Sequence, residues 1–385
     1  MNQWPIYLDY MATTPIDPIV VKAMLHYMGP DGEFGNPASV THRYGQAAAS
    51  AVEKARSQVA LAIGADAEDI VFTSGATESI NLAILGAARF YQRKGRHIIT
   101  ISTEHRAVLD TCKQLEREGF QITYLKPETD GLLSLSSLEN ALREDTVLVS
   151  IMQVNNEIGV IQDIQGIGEL LSGKGIVFHV DAAQSPGRIA INLGQLSVDL
   201  MSLSAHKNYG PKGIGALFVR HKPRIRLQTQ SFGGGHEGGL RSGTLPTHQI
   251  VGMGEAFRLS ESLRVEEQAR ILQLRQRLWS GISHIPGIQI NGSLTHRIAG
   301  NLNFSLSDID GSALLPVLSE LAVSSTSACS SGNVQPSYVL QALGLSPELA
   351  RSSIRLSIGR YTISKQIDET IEILNRQIAM LRSNH

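Results

Sequence analysis

Leu200-Met201-Ser202-Leu203-Ser204-Ala205-His206-Lys207-Asn208-Tyr209-Gly210-Pro211-Lys212-Gly213 decides how this chain is read. It opens as a short apolar run of strand type and turns polar at Ser204. It then offers a histidine and a lysine side by side and enters a Gly/Pro-rich turn. A lysine placed where a buried strand breaks into a glycine loop can be desolvated, and a desolvated amine is a nucleophile near neutral pH. The same pattern also describes a solvated lysine beside a turn, so the remaining chain must supply the amine's partners.

Outward from this stretch the chain alternates strands and helices. Strand-like runs occur at Ile70-Thr73, His97-Ser102, Gln121-Leu125, Val147-Met152, Ile176-Asp181, Leu200-Ser204 and Ile214-Val219. Helical patterns separate most of them, at 77–93, 105–118, 135–143 and 163–172, and an amphipathic helix precedes them at 43–62. This rhythm predicts an α/β fold: a mostly parallel seven-stranded sheet with helices on both faces. A long helix from Pro246 to Ile282 leads out of it. Beyond that lie scattered strands (301–307, 322–325, 354–358) and helices (311–321, 337–343, 364–382), a smaller α+β domain joined by the N-terminal arm. The expected division is 16–255 for the large domain, with 1–15 and 256–385 for the small one. The Ser/Gly-rich stretch at about 324–337 reads as a mobile loop.

Composition narrows the function classes. The 385 residues are 42% hydrophobic and 18% charged with a net charge of −1, which gives no footing for nucleic acid or a membrane surface. No leader-like opening and no apolar run near the ~20 residues of a bilayer span is seen. The two cysteines, Cys112 and Cys329, form no metal-ligand spacing; so few in so long a chain suggest a reducing compartment, the cytoplasm. No resident metal is expected.

The chemistry-bearing residues fall at strand ends. Ser74-Gly75-Ala76-Thr77-Glu78-Ser79 joins a strand to a helix, and small residues before a helix N-terminus suit a phosphate or carboxylate, or simply cap the turn. His179 and Asp181 share one strand face. They could be metal ligands, but no third ligand follows. Asp181 better suits a heterocyclic nitrogen kept protonated, a pair that at ~4 Å and an effective dielectric near 20 interacts by roughly 4 kcal/mol. His105 opens a helix, where it can stack on a flat cofactor, shuttle protons or cap the helix. Asn155-Asn156-Glu157 offers amide donors to a carboxylate or a phenolic oxygen, which makes Asn156 a candidate for both cofactor and substrate binding. A phosphate holder, a pyridinium partner and a Schiff-base lysine together describe pyridoxal 5'-phosphate.

With these residues assembled, the chain resembles the NifS/IscS-type cysteine desulfurases, members of the class V, fold-type I pyridoxal-phosphate enzymes. The resemblance rests on Leu8-Asp9-Tyr10, Ala12-Thr13-Thr14-Pro15, Gly35-Asn36-Pro37-Ala38-Ser39 and Thr73 to Ser79. It continues through Val154 to Gly159, Asp181 with Gln184-Ser185, and Ser204 to Lys207. Gly233 to Glu237, Arg241 to Thr244, and Ser327-Ala328-Cys329-Ser330 extend it over nearly the whole chain.

The resemblance implies that Lys207 bonds to the cofactor, that Asp181 partners its ring nitrogen, and that Gln184 donates to its phenolic oxygen. It makes His105 the ring-stacking histidine and Ala76, Thr77, Ser204 and His206 the phosphate binders, with Thr244 reaching the phosphate across a homodimer interface. Asn156 and Arg355 would clamp the substrate carboxylate, with Asn36 nearby. L-Cysteine would yield L-alanine and a persulfide on Cys329, His105 serving as the base that frees the thiolate. Sulfur would then pass to acceptor proteins, an iron–sulfur scaffold or tRNA-thiolation relay proteins. Cys112, among Val108, Leu109 and Leu115, reads as inert core.

Three departures from the family pattern stand out. Thr326 replaces a loop glycine and stiffens the backbone there. Gly238 follows Glu237 where relatives often carry an arginine. The chain ends at His385, where IscS-type relatives continue into a scaffold-docking tail, so other acceptors are also expected. A selenocysteine lyase, another class V aminotransferase and a non-catalytic cofactor binder are the rival readings.

Overall fold

The computed structural model describes residues 4–325, 329–330 and 333–383, without the side chains of 329, 330, 333 and 334. Its centre is a seven-stranded sheet in the order Ile70–Thr73, Gly215–Val219, Leu200–Ser204, Val177–Asp181, Thr146–Met152, His97–Ile101, Gln121–Leu125. Gly215–Val219 runs antiparallel to both neighbours and the other pairings are parallel. Two reversals cancel, so Ile70–Thr73 points the same way as Leu200–Ser204. The C-terminal ends of six strands therefore share one edge.

The strands read as near-continuous apolar runs because both faces are covered. Alternate residues serve different cores, as a period of two requires. Ile99, Ile101, Val149, Ile151, Phe178 and Val180 pack in one core with Val52, Val59 and Phe257. Ile98, Leu148, Val177 and Leu217 pack in another with Ile80, Ile84 and Cys112.

Two local features shape the functional edge. The helix Ala76–Tyr91 begins at Gly75, whose φ of 153° lies outside what a side chain adopts readily. Gly215 lies against it so closely that an added Cβ would come within 2.6 Å of the Gly75 Cα. The segment 182–199, which joins two parallel strands, is built of turns rather than a helix.

The 36-residue helix Thr247–Ile282 leads to an antiparallel sheet ordered Ser324–Ser325, Ser353–Ser357, Asn301–Leu306, Ile288–Ile290. Leu302, Phe304, Leu356 and Leu374 lie in its core, which also buries Leu8. The run expected as one strand at 322–325 serves two sheets. Leu321–Ala322 pairs in parallel with Ile6–Tyr7, and Ser324–Ser325 with the Ser353–Ser357 strand. The helix expected to reach 321 ends at Val317, just after Pro316, which frees the chain to enter that strand.

Candidate active site

A cavity of about 450 Å³ opens at the shared edge, lined by Ala76, Thr77, His105, Asn156, Asp181 and Lys207, with Gln184, Ser204 and His206 around them. Nine residues expected at the site from sequence are thus brought together from the ends of five strands. A larger hollow of about 740 Å³ lies elsewhere, lined partly by Arg56 and Glu237. Those two pair with each other at 2.7 Å, so neither is left open for a ligand.

Asp181 ends its strand buried, and its Oδ1 accepts the Ala183 N–H at 2.9 Å. Burial pushes this carboxyl up, while that bond and the neighbouring His105 and Lys207 pull it back. Lys207 donates from Nζ to the Met11 carbonyl at 2.9 Å. Burial first, then Arg188 and Arg355, bring its amine down to about 8, with Asp181 and Asp9 opposing. A free amine is therefore present at neutral pH in a useful fraction. His105 caps its helix, Nδ1 accepting the Ala107 N–H at 3.1 Å. Burial lowers its imidazole, with Asp181 opposing and Lys207 reinforcing. His206 is brought down to about 4 by burial and by Lys207 and Lys212, so it is a neutral hydrogen-bonding group.

Other expected residues lie outside the cavity lining. Arg355 is buried; its Nη1 donates to the Asn156 carbonyl at 2.7 Å, and its Nη2 to Asp9 at 2.7 Å and Ser324 at 2.8 Å. Its Nε has no partner. Asn36 is exposed and accepts the Ala38 N–H. Thr244 is exposed. The backbone of Cys329–Ser330 pairs antiparallel with Asn333–Val334. The expectations for the Cys329 thiol, for Thr326 and for loop mobility there fall outside the described residues. Cys112 is buried and its thiol is pushed up to about 12, an unreactive position.

Three groups escaped the sequence reading. Arg188 donates to Gln184 and to the Tyr10 and Lys207 carbonyls. Glu104 is fully buried, with Oε1 accepting the Met152 N–H at 2.6 Å, Oε2 unpartnered, and burial holding the carboxyl well above its usual range. Glu157, raised to about 7 by burial, accepts the Ser337 hydroxyl at 2.5 Å. Glu104 precedes His105 and Glu157 lies within the quoted Asn155-Asn156-Glu157 run, which was a usable signal; nothing in the spacing marked Arg188.

His179 proves to be core. Its ring nitrogens meet the Ser150 and Ser202 hydroxyls at 2.8 and 2.9 Å, and burial lowers it to about 3, so it stays neutral. No cluster suited to a metal occurs among the described residues. The donor set does fit pyridoxal phosphate. Ser204 Oγ and Asn156 Oδ1 are buried yet unpartnered, and a Cβ added at Gly75 would meet nothing. That leaves open space before the free N–H groups of a helix start, where an anion is favoured.

Comparison with known proteins agrees with this geometry. The model of the family described as aminotransferase class-V matches residues 6–370. The chain is 60% identical over 378 residues to cysteine desulfurase IscS of Shewanella sp. (strain ANA-3), covering 98% of this chain and 94% of the relative. It is 59% identical, with the same coverage, to cysteine desulfurase IscS of Escherichia coli O139:H28. Among solved structures, a NifS-like protein superposes with a TM-score of 0.91 at 35% identity, covering 98% of this chain and 100% of that one. SspA in complex with cysteine gives 0.82 at 38% identity, covering 93% and 100%. The chain therefore belongs to the class V aminotransferase family and, within it, to the cysteine desulfurases.

Proposed function

We propose that the cavity at the sheet edge is the catalytic centre of this cysteine desulfurase, a pyridoxal-phosphate enzyme acting on L-cysteine. The observation that carries the assignment is the convergence of the low-pKa amine of Lys207, the buried Asp181 and the open Ala76–Thr77 helix start on one cavity. The bound cofactor supplies an aldehyde that condenses with amines and a ring that accepts electron density.

The chain's own residues then have distinct duties. Ala76, Thr77, Ser204 and His206 hold the phosphate, joined by Thr244 of a second copy in a homodimer. Asp181 offers its carboxylate to the ring nitrogen, Gln184 an N–H to the phenolic oxygen, and His105 its imidazole face to the ring. Lys207 Nζ, a free amine in a useful fraction near neutral pH, takes the α-proton of L-cysteine and returns it as alanine forms. Arg355 and Asn156, with Asn36 beside them, orient the substrate carboxylate. His105 draws the proton that frees the thiolate of Cys329. That thiolate bonds to the substrate sulfur as the carbon–sulfur bond breaks, so L-cysteine plus the Cys329 thiol becomes L-alanine plus a Cys329 persulfide. The persulfide passes in the cytoplasm to acceptor proteins, an iron–sulfur scaffold or a tRNA-thiolation relay. No helix among the described residues is long and apolar enough to cross a membrane. Residues 16–255 form the large domain of this reading, with 1–15 and 256–385 the small one.

The test is cysteine-dependent alanine formation with mass detection of the persulfide. Wild type should form both, and Cys329→Ser neither. Full alanine formation by Cys329→Ser would remove that residue as sulfur acceptor. Amino-group exchange with keto acids in place of desulfuration would return the chain to its aminotransferase rivals.

A further inference from the structure

Arg188 is a cation without a carboxylate partner among the described residues. Its guanidinium donates to four oxygens: the Gln184 carbonyl at 2.8 Å, the Gln184 side-chain Oε1, the Tyr10 carbonyl at 3.2 Å and the Lys207 carbonyl at 3.1 Å. Gln184, buried at 3% exposure, is held from the other side, its Nε2 donating to the Met11 carbonyl at 2.9 Å. A guanidinium can only donate and a carbonyl can only accept. Oε1 must therefore face Arg188 and Nε2 must face Met11, which leaves one consistent orientation of the amide. The remaining N–H of Nε2 is then the group Gln184 can offer to the cavity it lines. Without Arg188, one of the two orienting contacts is gone and Oε1 is left buried and unpaired.

We infer that Arg188 is a positioning residue of the catalytic centre, setting Gln184 with its donor end toward the cavity while gripping the backbone of Lys207. The inference rests on the proposed cofactor site, since that donor matters only if an electron-rich oxygen sits before it. After burial, the Arg188 charge does most to lower the Lys207 amine. Arg355 acts in the same sense, Asp181 and Asp9 oppose, and His105 and His206 lie close enough to feel the lysine.

The test follows the pH midpoint of the holoenzyme's near-visible absorbance in Arg188→Met, Gln184→Ala and the double variant. A nearby positive charge and an N–H donor both favour the deprotonated chromophore, so losing either raises the midpoint. Arg188→Met should raise it by roughly one pH unit. In the Gln184→Ala background the same substitution should shift it by less than half as much, because the amide it orients is gone. Equal shifts in the two backgrounds, or no shift, would overturn the inference. Arg188→Lys keeps the charge for the case where the Met variant does not fold. It cannot span Gln184 and Lys207 together, and it should show a smaller shift that also shrinks without Gln184; one that persists undiminished counts against the inference. A wild-type protein that takes up no pyridoxal phosphate would sink the functional reading itself, whereas a normal band indifferent to Arg188 sinks only this inference.

Discussion

The interior of the large sheet and its C-terminal edge hold the same kinds of polar side chain under opposite conditions. In the interior, His97 bridges the Thr146 and Thr123 hydroxyls and His179 bridges Ser150 and Ser202, every ring nitrogen partnered. At the edge, Ser204 Oγ, Asn156 Oδ1 and Glu104 Oε2 are buried with no partner. Asp181 lies only two residues beyond His179 on the same strand and face. An unpaired buried polar atom costs about 1–3 kcal/mol, and the chain tolerates several at one edge and satisfies them a few ångströms below. The difference teaches where to look for chemistry: polar atoms left open on a cavity count for more than polar atoms that are only buried.

The contrast is easiest to break at Lys207. Lys207→Ala should lower cysteine-dependent alanine formation by about 10³-fold or more while leaving the melting curve near wild type; retained turnover would remove the lysine from its role. Asp181→Asn keeps the shape but not the charge. It should cost roughly 10²-fold in kcat, and an unchanged kcat would place Asp181 with the inert interior.

On the interior side, His179→Leu should cost about 2–4 kcal/mol in urea denaturation by orphaning two serine hydroxyls, with activity per folded molecule unchanged. A selective loss of activity would blur the distinction. Glu157→Gln sharpens it through pH. The folded value of about 7 lies above the ordinary 4.5, so below about 4.5 both states hold the proton. Between 4.5 and 7 the folded chain keeps a proton the unfolded chain has released, and stability falls as pH rises. Glutamine has no such loss. The variant's stability relative to wild type should therefore rise by about 2–3 kcal/mol between pH 5 and 8, and a flat difference would refute the raised value. The smallest effect belongs to Cys112→Ala, about 1 kcal/mol with full persulfide formation.

Much of this was legible in the sequence because strand-helix alternation places strand-end motifs on one edge. Ala76, His105, Asn156, Asp181 and Lys207 could be grouped on that ground before any coordinates. The reversed direction of Gly215–Val219 was not read, although the short connection from Ser204 disfavours a parallel crossover. Arg188 was not legible, because its partners are backbone carbonyls and an amide, and no residue type or spacing announces a carbonyl. Neither was the double use of 321–325, since two-residue strands carry no periodicity. Asn36 and Thr244 were named from resemblance alone, and nothing in their local pattern points to a cavity they do not line.

The antiparallel insertion of Gly215–Val219 has a consequence for biosynthesis. Ile70–Thr73, which leads directly into the helix start at Ala76, pairs with that strand and no other in the sheet. During translation the early strand must wait, unpaired, until the ribosome has delivered the segment that also follows Lys207. Such a delayed, long-range pairing is slow to form and exposes an open strand meanwhile. A truncated nascent chain stopping short of residue 215 would hold Ala76, Thr77, Ser204 and His206 and still lack the strand that frames them. The cavity edge is thus framed only when the sheet is nearly complete.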